Sequence, residues 1–166
     1  MSRNDVLEHI HIAPAGGEPM QELAEAQLFA GHGIEGDRYL LGTGTYTRDS
    51  EPGRQVTLIE IETLEAMARD HGIDLGVHEH RRNLTVRGVK LNDLVGCRFR
   101  VGEVVLEATR LTAPGKHLEA ITGKPLREVL RNRGGINCLI VEGGTIRRGD
   151  PITVLQDADD DDAAED

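Results

Sequence analysis

Short apolar runs separated by turn residues fill the second half of the chain, and they limit its fold more than any motif does. Residues 84–86, 98–101, 104–108, 137–141 and 151–155 are such runs, too short for stable helices and of the right length for strands. Gly143-Gly144 and Arg148-Gly149-Asp150 supply tight turns between the last of them. Upstream, residues 6–12 alternate apolar with polar side chains, the period of a strand with one buried face. Residues 22–30 fit either period and read as strand. Residues 55–59 read as a strand leading into a helix with Ile61, Leu64, Met67 and Ala68 on one face, stopped by Gly72. A second helix starts at Pro125, with Leu126, Val129 and Leu130 on one face and Gly134-Gly135 at its end. Many short strands and few helices predict a mainly β barrel or sandwich, because closing a sheet removes its exposed edges.

A length of 166 residues with 38% hydrophobic content suits one domain with a real core. There is no Trp, and only Phe29, Phe99, Tyr39 and Tyr46 carry aromatic rings, so the core must be aliphatic. The stacking platforms and basic groove that single-stranded nucleic acids require are missing. The formal charge of −10 is mostly a property of the end of the chain. Seven acidic residues fall in 157–166, and removing them from 29 leaves the body near −3; such a block reads as a solvated tail. Two cysteines, Cys97 and Cys138, are too few for a disulfide framework or a four-ligand zinc site, and a reducing cytoplasm is the expected setting. No apolar stretch is long enough for a signal peptide or a membrane span, so neither secretion nor membrane insertion is expected.

Gly31, Gly33 and Gly36 spell a dinucleotide fingerprint. That chemistry needs a helix opening at the third glycine, and the glycine-punctuated sequence after Asp37 has no helical run. What remains is a bendable loop carrying His32, Glu35, Asp37 and Arg38, suited either to a ligand or to an ion pair that fixes a turn. The loop at 42–53 is longer than most connections, a length often tied to function. His9 with His11, and His78 with His80, would each share a strand face at metal-binding spacing, but no third ligand stands at a characteristic distance. Arg81, Arg82 and Asn83 bring two guanidinium forks and an amide to the start of a strand, fit for phosphate or carboxylate or for ion pairing. Lys116 and His117, after Pro114-Gly115, read as another cationic loop. Cys138 sits in an apolar run and reads first as a core residue; it and Cys97, beside Arg98, are the two weak candidate nucleophiles.

Taken in order, the stretches IAP at 12–14, GIEGDRY at 33–39, RQVTL at 54–58 and RNLTVRGVKLNDL at 82–94, followed by GCRFRVG at 96–102, VLEAT at 105–109 and EGGTIRRGDP at 142–151, resemble the MOSC domain, named for the C-terminal domain of molybdenum cofactor sulfurases. The resemblance covers everything but the acidic tail, implying a MOSC domain over 1–155, a tail over 156–166, and a short stand-alone member of bacterial type. It implies a closed or partly open β-barrel with a few flanking helices, and a cleft for molybdenum cofactor (molybdopterin) or a related anionic, sulfur-containing ligand. Relatives transfer sulfur or run molybdenum-dependent reductions, which would call for a redox or sulfur-donor partner protein. By residue matching, Gly36, Asp37, Arg38, Arg82, Asn83, Gly115 and Lys116 become candidate cofactor contacts. Family members carry a cysteine after the proline matching Pro114; this chain has Gly115, which can neither hold a persulfide nor ligate molybdenum. Pyridoxal phosphate serves a separate domain of the large sulfurases and is not expected here.

Overall fold

The computed structural model describes residues 5–41, 55–113 and 116–157. Eleven strands are named: β1 Val6–Ile12, β2 Gln21–Leu23, β3 Glu25–Phe29, β4 Gly33–Ile34, β5 Val56–Glu60, β6 Leu84–Arg87, β7 Cys97–Val101, β8 Val104–Leu111, β9 Ile136–Glu142, β10 Gly144–Arg147 and β11 Ile152–Asp157. Four helices join them: α1 Arg38–Leu41, α2 Ile61–His71, α3 Lys116–Thr122 and α4 Leu126–Val129. The loop expected at 42–53 and the tail from residue 158 lie outside the described residues.

Eight strands form one sheet in the order β11-β7-β8-β9-β5-β6-β1-β2, and β10, β3 and β4 form a second. The large sheet is antiparallel except at β5–β6, where α2 lies in the connection that returns the chain to a parallel neighbour. Ladder pairing does not close the sheet, but one corner is stitched. Val6 bridges Pro151, and Leu7 exchanges backbone hydrogen bonds with Asp150 and Gly149 at 2.9 and 2.7 Å. The result is mainly β, as the spacing of the apolar runs predicts, and of the barrel and sandwich that the spacing left open it is the partly open barrel that the family resemblance implies.

The core is aliphatic apart from Phe99, as the composition requires. Strict alternation along β1 would place Leu7 on the same face as His9 and His11. A bulge in the pairing with β6 between Leu7 and His9 removes that conflict, sending Leu7, Ile10 and Ile12 into the core. A smaller cluster on the opposite face packs Ile59 against Leu64 and Met67 of α2, Leu118 of α3, and Leu126 and Leu130 of α4.

Three local expectations change. Ala68 is exposed and Thr63 is buried instead, since 63 and 64 lie four and three residues before 67 and so share its face. Lys116 opens helix α3 rather than lying in a loop, and Leu118 anchors that helix in the smaller cluster. After Asp37 the chain makes one helical turn, α1. It follows β4, a strand of the small antiparallel sheet, and so builds no βαβ unit.

Candidate functional site

One row of residues runs across four adjacent strands on the face away from the main core: His11 on β1, Asn83 entering β6, Thr57 on β5 and Asn137 on β9. The ladder registers Ile10 with Leu84, Leu58 with Leu84 and Thr57 with Asn137, which aligns these four side by side. All are polar, and none exceeds 2% exposure. Buried polar groups must find partners, and Asn83 finds them on both sides. Its Oδ1 accepts from the Thr57 backbone N–H at 3.0 Å and from the Thr57 hydroxyl at 3.2 Å, while its Nδ2 donates to the His11 carbonyl at 3.1 Å.

The glycine-rich segment docks onto the end of this row. Ala13, just past β1, donates its N–H to Asp37 Oδ1 at 3.1 Å and accepts from the Arg38 N–H at 2.7 Å. Arg38 Nη1 pairs with Asp37 Oδ1 at 2.9 Å, and its Nη2 donates to the Arg81 carbonyl at 2.7 Å. Arg81 presents that carbonyl from a left-handed backbone (φ 65), a conformation that costs a non-glycine residue about 1–3 kcal/mol and that tertiary contacts must hold. One such contact is the bond from Arg81 Nη1 to the Glu18 carbonyl. Gly36 makes the preceding turn at φ 82. His32 and Glu35, which the sequence placed with Asp37 and Arg38, point outward instead.

Arg82, the residue before Asn83, bridges three main-chain segments. Its Nε, Nη1 and Nη2 donate to the carbonyls of Gly134, His80 and Ala113 at 2.8, 3.0 and 3.1 Å. The guanidinium thus ties the segment leading to Gly115 onto the turn that enters β9. A side chain at Gly135 in that turn would collide with the Leu58 carbonyl, so the close approach of turn and strand depends on the glycine. Gly115 itself lies outside the described residues, and of Lys116 only its place at the start of α3 is described.

Asn137 occupies the β9 end of the row. Its Oδ1 accepts from the Thr112 hydroxyl at 2.8 Å, its backbone carbonyl from Thr109 Oγ1 at 3.0 Å, and its Nδ2 has no partner among the described residues. Sequence reading missed both Asn137 and Thr57; a polar residue inside an apolar run of a central strand was the available signal. The adjacent Cys138 faces the other way, fully buried among core residues, where desolvation pushes its thiol far above the ordinary range. Cys97 starts β7, two strands from β9, with its Sγ 3.8 Å from the Asp93 carbonyl. The thiol candidates therefore do not join Asp37, Arg38, Arg82 and Asn83, which the fold gathers at one end of the row.

The histidines divide. Residues 78–80 form a turn rather than a strand, with His78 exposed and His80 buried. His80 Nδ1 accepts from the Arg82 N–H at 2.9 Å, leaving Nε2–H to donate to Thr85 Oγ1 at 2.8 Å. Desolvation first, and the Arg82 charge second, hold His80 well below the usual 6.5. His9 and His11 share a face as expected and flank Glu22, at 3.0 and 3.5 Å. Burial lowers the His11 pKa although Glu22 opposes the shift. No group of three His, Cys, Asp or Glu among the described residues is arranged to hold a metal ion. An open cavity of about 680 Å³ lies between the start of β1 and the β10–β11 turn, but its arginines, Arg147 and Arg148, are engaged with Glu25 and Glu22 at the surface.

The site is therefore a buried hydrogen-bonding layer with cationic cover and no thiol or metal-ligand set among the described residues. A sequence profile for the MOSC domain matches residues 26–153, most of the chain and every element of this layer except the end of β1.

The chain belongs to the MOSC domain family.

The solved structures this MOSC domain resembles support the same architecture. YuaD from Bacillus subtilis superposes with a TM-score of 0.76 at 19% identity, over 92% of this chain and 96% of that one. YiiM from Geobacillus stearothermophilus gives 0.65 at 13% identity, over 92% and 73%. YiiM from Escherichia coli gives 0.64 at 17% identity, over 90% and 69%. These likenesses establish the fold. No curated protein matches the sequence significantly. Among the described residues no helix is long and apolar enough to cross a membrane.

Proposed function

We propose that this MOSC domain binds an anionic, oxygen-rich small molecule of the molybdenum cofactor class at the Asp37–Arg38–Arg82–Asn83 end of the buried polar row. The observation that carries the reading is the row itself. Burying four polar side chains side by side costs free energy that an apolar layer would avoid, and the segments over them are those matched to the family's cleft.

The residues present fit the organic and oxyanion parts of such a ligand. At the β9 end of the row the buried Asn137 amide nitrogen, without a partner among the described residues, favours an oxygen acceptor, and the Arg82 guanidinium, which reaches that end through Gly134 and Ala113, favours negative charge. Asp37 and Arg38 would hold the loop wall, Arg82 would keep the 113–116 segment in place, and Asn83 would fix the spacing of β1, β5 and β6. When bound, the cofactor would supply oxo-transfer or sulfur chemistry at its metal. This chain's residues would bind it, orient it and keep water from it.

A protein persulfide has no support at this end of the row. Sulfur transfer through the chain needs a thiolate; Cys138 is buried in the core with its thiol disfavoured as an anion, and residue 115 is glycine. The favoured reading is thus a ligand-binding MOSC module, with any sulfur or redox step carried by the ligand and a redox or sulfur-donor partner. Anaerobic purification followed by metal and pterin analysis tests it. Stoichiometric pterin, or saturable uptake of cofactor supplied to the purified protein, supports the reading; protein that is empty and also refuses supplied cofactor rejects it.

A further inference from the structure

Asn83 and Asn137 are two amides on either side of Thr57, both fully buried. Their partners differ. Asn83 uses its oxygen twice and its nitrogen once, all within the sheet. Asn137 uses only its oxygen, and its –NH₂, which carries two donors, touches no acceptor among the described residues. An amide left in this state costs about as much as the hydrogen bond it fails to make. Asn is also a poor choice for a central strand, where a β-branched residue would pack better. Thr112 follows β8, so its bond turns Oδ1 toward β8 and the amide nitrogen away from it. Thr112 adjoins Ala113, and Arg82 holds both Ala113 and Gly134 by their carbonyls, so Asn137 lies at the end of the row that the Arg82 guanidinium reaches.

We infer that Asn137, at the β9 end of the row, is a specificity-determining binding residue whose Nδ2 donates to an oxygen acceptor of a ligand that extends along Arg82 from the Asn83 end, an inference that rests on the ligand-binding reading of the row. The acceptor is a metal-oxo, phosphoryl or ring-carbonyl oxygen, and the three share one requirement: a lone pair facing a buried N–H. The layer is arranged so that the donor is satisfied only in the complex.

The test uses the full chain and three separate probes: molybdate, inorganic phosphate and pterin-6-carboxylate. In ¹H–¹⁵N spectra, the side-chain amide pair of Asn137, assigned by its disappearance in Asn137→Leu, shifts on saturation with at least one probe, while that of Asn83 stays in place. The probe that moves it identifies the oxygen type. Calorimetry of the same probe shows binding weakened at least about tenfold in Asn137→Leu and in Asn137→Asp, the value of one hydrogen bond to a charged acceptor. Asn137→Leu melts at or above the wild-type temperature, because it removes an unsatisfied group; a purely structural asparagine would lower it. Should Asn137→Leu fail to fold, Asn137→Asp and the wild-type spectra carry the test. Wild type that binds a probe with no movement of the Asn137 signals, or variants that bind as well as wild type, overturn the inference and leave the binding reading standing. Wild type that binds none of the three also overturns it, and cofactor uptake then decides separately whether the broader reading survives.

Discussion

Two rows of residues cross the same four strands one position apart. Ile10, Leu84, Leu58 and Ile136 face the main core, whereas His11, Asn83, Thr57 and Asn137 face the other way. Both rows are buried to the same degree, with exposures of 0–2%, so burial alone does not distinguish structure from function here. The distinction lies in how each row is satisfied. The apolar row gains from every neighbour without regard to direction. The polar row must close each hydrogen bond geometrically, and it closes all but those at its two ends, His11 Nδ1 and Asn137 Nδ2. Those two atoms, one on β1 and one on β9, are where the polar row departs from full pairing among the described residues.

Breaking the apolar row has the largest effect. Leu58→Ala removes a fully buried side chain that meets both Leu84 and Ile136 across the ladder, and is expected to cost about 2–5 kcal/mol in urea unfolding. Its effect on ligand binding by the remaining folded protein should be slight. Asn83→Ala attacks the polar row at its best-satisfied member, stranding the Thr57 N–H and the His11 carbonyl. About 2–3 kcal/mol of lost stability is expected, from at least one unsatisfied buried group. Unlike Leu58→Ala, it should also weaken binding by freeing β1 from β5. Equal effects of the two variants on binding would erase the difference between the rows.

How far each row could be read from sequence follows from the same contrast. Apolar runs with turn signals between them point to the strands and a mainly β barrel or sandwich, because hydrophobic burial repeats along the chain with a fixed period; the aliphatic core follows from composition, and the partly open barrel from the family resemblance. The bulge between Leu7 and His9 was not visible, since register is decided by the neighbouring strand β6. Asp37, Arg38, Arg82 and Asn83 stand out individually in the sequence, and the Asp37–Arg38 ion pair that fixes the turn is one of the two readings of that loop. Their main-chain partners, among them Ala13, Arg81, His80, Gly134, Ala113 and His11, were not foreseeable, because main-chain groups carry no residue identity. Thr57 and Asn137 were missed for a related reason. Each looks like one polar interruption in a strand until the ladder sets them side by side.

Acid separates the rows next. His80 is neutral in the folded protein, held below the usual 6.5 chiefly by desolvation, and burial lowers His11 in the same direction. The unfolded chain therefore binds more protons than the folded one below that pH. Stability should be flat above about pH 6.5 and fall as the pH drops from there, by up to about 1.4 kcal/mol per pH unit for each such histidine. Urea midpoints measured between pH 5 and 8 check this, and His80→Gln should flatten part of the fall. An apolar row has no comparable response, so a pH-independent midpoint over this range would show that the histidines beside the polar row are not held neutral by burial.

The smallest expected effect bears on chemistry most directly. Asn137 and Cys138 are neighbours in β9, one belonging to each face, and only their side-chain directions decide which can meet a ligand. Cys138 packs in the core with Val56 and Ala108 as its ladder partners. Cys138→Ala trades a thiol for a methyl group there and should cost about 1 kcal/mol, with probe binding unchanged. Thiol labelling of the native protein should leave Cys138 unmodified at a pH where half-exposed Cys97 reacts, because the buried thiolate is disfavoured and reagent access requires unfolding. Rapid native labelling of Cys138, or loss of ligand binding in Cys138→Ala, would mean that β9 turns its sulfur toward the ligand. The division between the two rows, and the assignment of Asn137 to the ligand side, would then have to be reversed.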